Sequence, residues 1–149
     1  MQKSYLALGC FWKPEETFRQ ITGVVETEVG YAGGNSGNTS YEEVCTGKTG
    51  HTETVKIIYD EKIVTYEKLL EVFFKSHDPT QKDMQYPDVG TQYRSEIFYE
   101  TEQQKNTAEK YKKLFNEKFK GKIETNISKI KNYSKAEEYH QKYIMKRGR

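Results

Sequence analysis

Short apolar runs and longer stretches of helical spacing alternate along the chain. The first run, at 4–8, is long enough for a buried strand and stops at Gly9. Lys13-Pro14-Glu15-Glu16 then reads as a helix start, because proline is tolerated at the first helical position and acidic residues suit the first turn. The spacing predicts a helix over 14–21 with Phe18 and Ile21 inward, closed by Thr22-Gly23. Residues 24–29 alternate weakly as a strand and run into Tyr31-Ala32-Gly33-Gly34. Residues 35–40 have loop chemistry, and 41–45 allow one or two helical turns, stopped near Gly47. Residues 53–59 are β-rich and mostly apolar and predict a further strand.

In the second half, Tyr66, Leu69, Leu70, Phe73, Phe74 and His77 recur at helical spacing and predict an amphipathic helix over 65–77. Residues 78–92 hold two prolines and Gly90 among polar residues. That makes a long irregular stretch, and such stretches in folded domains are usually functional. A strand is predicted at 93–99. Thr101 and Gln104 have capping-box spacing and open a long helix that carries Gln104, Ala108, Tyr111, Phe115 and Phe119 on one face and stops at Gly121. Residues 123–130 alternate as a strand, and Ser134-Lys-Ala-Glu137 is a second capping box, predicting a last helix over 135–145. Strands and helices alternate without internal repeat or linker. The expectation is a single domain over 1–149 of α/β (α+β) class, a mixed sheet covered by helices.

Leu, Ile, Val and Phe are scarce, but a net charge of +2 argues against disorder, and twelve Tyr, seven Phe and one Trp supply burial instead. Charge is uneven: residues 1–100 carry a net −6 and residues 101–149 a net +8. The basic third reads as a lysine-rich solvated face, with a nucleic-acid surface as the alternative. Two cysteines, Cys10 and Cys45, make neither a disulfide framework nor a zinc site, and the three histidines lack metal-ligand spacing. No apolar stretch has signal-peptide or membrane-spanning length. The expectation is therefore a reducing, cytoplasmic setting with no metal, nucleic acid or membrane partner, and a monomer.

Cys10 sits where a strand meets a helix, between Gly9 and the aromatics Phe11 and Trp12. Unpaired N–H groups at such a junction favour thiolate, which makes Cys10 a candidate nucleophile rather than only a packed residue. Other polar groups stand at element ends beside loops: Tyr41, Glu53, Asp88 and Tyr93. A thiol enzyme needs a proton partner. His51 would serve as a base in a hydrolase, whereas Glu53 would serve as an acid if a dry pocket raised its pKa. Phe11 and Trp12 would make such a pocket dry and suit a small apolar group such as a methyl.

Six blocks follow one another in order: Gly9-Cys10-Phe11-Trp12, Gly30-Tyr31-Ala32-Gly33-Gly34, Ser40 to Gly47, Thr49-Gly50-His51-Thr52-Glu53, His77-Asp78-Pro79-Thr80-Gln81, and Asp88 to Ser95. With Ala136 to Gln141 near the end, they resemble the A-class peptide methionine sulfoxide reductases over nearly the whole chain. The resemblance implies a two-layer α/β sandwich with a ferredoxin-like core, and reduction of methionine S-sulfoxide, free or in oxidised proteins, through a Cys10 sulfenic acid. It implies Cys10 as nucleophile, Glu53 as the acid on the sulfoxide oxygen, Tyr41 and Tyr93 as phenols bonding that oxygen, and Phe11 and Trp12 as the methyl pocket. It also implies Asp88 as the carboxylate that orients the substrate backbone, and His51 as scaffold rather than base. No bound cofactor is expected, only an external thiol reductant: thioredoxin, glutaredoxin with glutathione, or a small dithiol.

Two features depart from that family. Many members carry one or two further cysteines near the C-terminus, and this chain has none there. A one-cysteine cycle resolved by an external thiol is expected, with a Cys10–Cys45 disulfide or another thiol chemistry (peroxidase, Cys/His hydrolase) as alternatives. Lys82-Asp83-Met84-Gln85-Tyr86-Pro87 is also unusual and is expected to change the rim of the site.

Overall fold

The structure is a computed structural model that describes residues 1–147. Its first half runs β1 (Gln2–Leu8), α1 (Trp12–Arg19), β2 (Val24–Ala32), α2 (Tyr41–Cys45), β3 (Thr52–Tyr59) and α3 (Tyr66–Lys75). A short hairpin of β4 (Met84–Gln85) and β5 (Asp88–Val89) and a 3-10 turn (Thr91–Tyr93) lead into β6 (Ser95–Tyr99) and α4 (Glu102–Lys118). The chain then forms β7 (Asn126–Lys129), β8 (Ser134–Lys135), a second 3-10 turn (Glu138–His140) and α5 (Tyr143–Arg147).

Six strands form one sheet in the order β7-β6-β1-β3-β2-β8. β1 pairs antiparallel with both β3 and β6, and β2 pairs antiparallel with β3. The inner order β6-β1-β3-β2, with α1 crossing from β1 to β2 and α3 lying between β3 and β6, is the ferredoxin-like arrangement. β7 joins β6 in parallel and makes the sheet mixed. The α/β class and helix-covered mixed sheet expected from the sequence are therefore present.

α4 begins at its predicted cap and α3 just after Thr65, whereas α1 begins at Trp12, two residues before the start that Pro14 predicts. Thr65 accepts from the Lys68 N–H at the start of α3, and Thr101 from the Gln104 N–H at the start of α4. Leu69, Leu70, Phe73 and Phe74 of α3 and Ala108 and Phe115 of α4 pack on the sheet face that carries Leu6, Leu8, Val29, Tyr31, Val55, Ile57 and Ile97. The basic surplus of the C-terminal third lies largely at exposed positions, among them Lys110, Lys113, Lys118, Lys120 and Lys122.

The C-terminal region differs from its pattern. Only Asn126–Lys129 pairs as a strand, and the following segment crosses the opposite face of the sheet, where Ile130 and Tyr133 cover Tyr5, Ala7, Ala32 and Phe98. The chain then pairs Ser134 with Tyr31 and Lys135 with Gly30, in the stretch where the second capping box predicts a helix start. Ser134 Oγ accepts from the Thr39 N–H, and Glu137 accepts from the Tyr31 hydroxyl and the Tyr41 N–H. Both polar ends of the box are thus used by tertiary partners rather than by a helix of their own. No helix among the described residues is long and apolar enough to cross a membrane.

Candidate active site

Cys10 lies between β1 and α1, and the positive φ of Gly9 (98°) lets the chain turn there. A side chain at position 9 would collide with Gln85, so Gly9 also sets how closely the β4–β5 hairpin approaches. Phe11 caps α1 and is buried, and its N–H donates to Glu53 Oε1 at 3.2 Å. This one bond ties the thiol-bearing junction to the start of β3, 42 residues further on.

Glu53 is 2 % exposed, and the Phe11 N–H is the only hydrogen-bond donor to its carboxyl among the described residues. Burial pushes its pKa up to about 8, against the pull of that N–H and with a further push from Asp88. Glu53 is therefore a neutral acid at pH 7 and carries a proton to give. Around it stand the phenols. The Tyr93 hydroxyl is pushed up to about 12, by burial first and then by Glu53 and Cys45, and it bonds Tyr41. The Tyr41 hydroxyl is held above its ordinary value by its bond to the Cys45 thiol and by burial. Glu53 lies within electrostatic reach of Cys10, Tyr41, Asp88 and Tyr93, and Asp88 within reach of Cys10 and Tyr93.

The resting thiol differs from expectation. The Cys10 pKa is pushed up to about 11, because burial outweighs the Trp12 N–H that bonds the sulfur, and Glu53 and Asp88 add further upward pushes. The strand-to-helix junction does supply an N–H, but this thiol is partly buried between two carboxyl groups, and one donor does not reverse that. With Glu53 neutral, the negative charge beside the sulfur is that of Asp88.

His51 is 1 % exposed and packs against Gly34, which has no room for a Cβ. Its Nε2 lies 2.9 Å from the Ser36 carbonyl and 3.2 Å from that of Asn132. The ring thus clamps the glycine-rich loop to the 132 turn, as scaffold rather than as a base for Cys10. His77 follows the end of α3. It lines the same cavity as Cys10, but burial lowers it to about 4 and its nitrogens are engaged by the Phe73 carbonyl (2.6 Å) and Ser95 Oγ (2.8 Å). Among the described residues no group of three His, Cys, Asp or Glu is placed to hold a metal.

Sequence reasoning missed the floor of the aromatic pocket. Trp12 stacks on Tyr143 (3.7 Å between centroids, 7° between planes), and its Nε1–H donates to His140 Nδ1 at 3.0 Å. His140 also packs on Phe11 and Tyr41, and Phe11 packs on Tyr31. Glu137 holds the Tyr31 hydroxyl and the Tyr41 backbone together. The available signal is the Ala136 to Gln141 block, which the family resemblance includes without giving its residues a role.

The sequence matches the family described as Peptide methionine sulfoxide reductase over residues 2–149. It is 53 % identical to Peptide methionine sulfoxide reductase MsrA of Pelagibacter ubique over 147 residues, covering 99 % of this chain and 100 % of that one. The fold is similar to Mxr1 from Saccharomyces cerevisiae in reduced form, with a TM-score of 0.94 and 38 % identity over 99 % of this chain and 86 % of that one. It is also similar to Mxr1 in complex with Trx2, with a TM-score of 0.68 and 28 % identity over 95 % of this chain and 84 % of that one. The motif blocks, the ferredoxin-like sheet and the thiol beside a buried acid thus agree with these similarities, and the chain belongs to the peptide methionine sulfoxide reductase family.

Proposed function

We infer that this single domain reduces methionine S-sulfoxide, free or in oxidised proteins, through a thiol cycle centred on Cys10. The observation that carries the reading is Glu53, a buried carboxyl that keeps its proton to about pH 8 and is bonded to the backbone one residue beyond the thiol. Sulfoxide oxygen leaves poorly unless protonated, and a neutral carboxyl with two phenols beside it supplies a proton and two donors to the charge that develops there. The Cys10 sulfur attacks the sulfoxide sulfur while Glu53 protonates the oxygen. The thiol proton passes to Glu53 and on to the hydroxyl of the sulfur–sulfur adduct, so that the sulfur–oxygen bond breaks and water leaves. A water then adds to the Cys10 sulfur as the sulfur–sulfur bond breaks, its proton returns to Glu53, and the products are methionine and a Cys10 sulfenic acid, a reversible oxidation state. Phe11 and Trp12, fixed from beneath by His140 and Tyr143, receive the methyl group, and Asp88 orients the substrate backbone.

An external thiol then restores Cys10. The similarity to Mxr1 in complex with Trx2 supports a thioredoxin-type protein in this role, with glutaredoxin and glutathione or a small dithiol as further reductants. A reducing cytoplasmic setting, in which Cys10 and Cys45 are both free, suits such a cycle. One observation favours a second reading of this half-reaction: Cys45 sits beside Tyr41 at the edge of the site, where a Cys10–Cys45 disulfide would resolve the acid.

The function is tested by supplying a methionine sulfoxide peptide as separate S and R epimers with dithiothreitol. Turnover of the S epimer alone, lost in Cys10→Ser, is the expected result, and turnover of neither would overturn the reading. One equivalent of S-sulfoxide followed by a sulfenic-acid trap separates the two resolving routes. An adduct on Cys10 with Cys45 still free supports the external thiol. Absence of both adduct and free thiol supports the disulfide.

A further inference from the structure

β7 lies at one edge of the sheet and is paired on one side only, in parallel with β6. The Ile130 N–H bonds the Tyr99 carbonyl at 2.9 Å, so the alternation of the strand turns the N–H and C=O groups of Ile127 and Lys129 outward. An open edge of this kind is a template for pairing with another extended chain. Beside it runs a groove of about 520 Å³, lined on α4 by Glu109, Lys112, Lys113 and Asn116 and on β7 by Asn126 and Ile127. The four α4 positions recur at helical spacing, so one stripe of the helix faces the edge.

The charge around this edge is one-sided. Residues 105–131 hold nine lysines and three glutamates, and among the described residues only Lys105 of the nine makes an ion pair. Glu109 is the acid in the groove. Lys112 and Lys113 outnumber it, and Lys129 stands exposed at the end of the strand. Lysines on an edge repel a second copy of the same edge, but they leave it open to an acidic strand. The edge also starts at the right end of the sheet. Ser95 pairs with Leu8, two residues before Cys10, and Asn126 pairs with Glu96, so β7 begins at the Cys10 end. Neighbouring strands are about 4.8 Å apart, which puts a strand added beyond β7 roughly 15 Å across the sheet from β1. About five to eight extended residues span that distance with room to turn.

We propose that the β7 edge and the Lys112–Lys113 stripe of α4 dock an acidic, extended segment of an oxidised substrate protein, about five to eight residues from its methionine sulfoxide. The inference rests on the reductase reading given above and names a substrate class for it. Main-chain bonds to Ile127 and Lys129 set the register of the added strand, and Lys112, Lys113 and Lys129 meet its carboxylates. The chemistry at Cys10 reads the sulfoxide side chain, whereas this edge reads the chain that carries it. The favoured substrates are therefore oxidised proteins whose sulfoxide lies near an acidic stretch that is free to extend.

The test compares methionine S-sulfoxide peptides with dithiothreitol as reductant. A run of glutamates begins six residues from the sulfoxide, on its N-terminal or its C-terminal side, and a run of serines replaces it in the control. Expected on one of the two sides is a KM about fivefold or more below that of the serine peptide, with kcat unchanged and the difference shrinking in high salt. Lys112→Glu combined with Lys113→Glu should remove the difference and leave turnover of the serine peptide as in wild type, which shows that the variant folds. The same reversal at Lys118 and Lys120, away from the groove, should leave most of it. N-methylation of alternate amides in the glutamate run prevents strand pairing and should also remove it. Equal KM for glutamate and serine peptides on both sides would overturn the docking edge while leaving the reductase reading intact. So would an advantage that survives N-methylation or the Lys112 and Lys113 reversal, or one lost as fully at Lys118 and Lys120. If wild type reduces none of these peptides, the reductase reading falls and the docking edge falls with it.

Discussion

Two glutamates on opposite sides of Phe11 are equally buried and differently equipped. Glu15, on α1, is 1 % exposed, and Glu53, on β3, is 2 % exposed. Glu15 accepts from the Thr27 hydroxyl at 2.8 Å and from the Lys142 N–H at 2.7 Å, and the Lys142 ammonium lies 3.7 Å away. Among the described residues Glu53 has one backbone N–H and no cation. A buried carboxylate needs a matching cation and donors, and without them the group keeps its proton. Glu15 thereby serves structure, because it holds the C-terminal segment under the aromatic pocket. Glu53 serves chemistry, because the site around it withholds the partners that would remove its proton.

The comparison breaks first at Glu53. Glu53→Gln keeps the shape and removes the acid, and it should lower the rate of methionine formation by about 10²–10⁴-fold, read in a single turnover with S-sulfoxide. The counterpart change, Glu15→Ala, should cost about 3 kcal/mol of stability by removing one partner of a buried pair, seen as a lower urea midpoint. Its folded fraction should still reduce sulfoxide. If Glu15→Ala instead abolished chemistry without touching stability, the division of labour between the two residues would be wrong.

Changing pH sharpens the same contrast. Reduction should fall about tenfold per unit as pH rises above about 8, where Glu53 gives up its proton, and this limb should vanish in Glu53→Gln. The stability effect has the same sign. A carboxyl normally near 4.3 that titrates at about 8 in the folded protein binds its proton more tightly when folded. Its contribution is complete below about pH 4 and is lost progressively as pH rises to about 8. Denaturation midpoints of wild type and Glu53→Gln, measured across that window, should converge or cross in that direction. The smallest effect is expected at the pocket floor. His140→Phe removes the acceptor for the Trp12 indole and should lower kcat/KM about fivefold, the worth of about one hydrogen bond, with most of the change in KM.

Much of this was legible in the residues. α3 announced itself through apolar spacing, α4 through apolar spacing and the Thr101 cap, and α1 through Pro14 and its acidic first turn. Cys10, Tyr41, Glu53, Asp88 and Tyr93 were visible as polar groups at element ends, and the family resemblance gave them roles that the geometry then had to accommodate. Local pattern failed where distant partners take over. Ser134 and Glu137 have the spacing of a helix cap, yet Thr39, Tyr31 and Tyr41 claim them, and no window of sequence shows partners about a hundred residues away. The continuous burial of β1 was visible, but not that Tyr5 and Ala7 would be covered by Tyr133 and Ile130 rather than by a helix. The direction of the Cys10 pKa was misread for a related reason. The helix start is local and visible, whereas burial and the approach of Glu53 and Asp88 are products of the fold.

The central claim is that Glu53 holds a proton at neutral pH beside an uncharged Cys10 thiol. It is tested most directly by carbon-13 NMR of the glutamate carboxyls, with Glu53 assigned by the signal missing from Glu53→Gln and titrated from pH 4 to pH 10. The account predicts a Glu53 carboxyl that is neutral at pH 7 and titrates near 8. A signal already that of a carboxylate at pH 6 would contradict it.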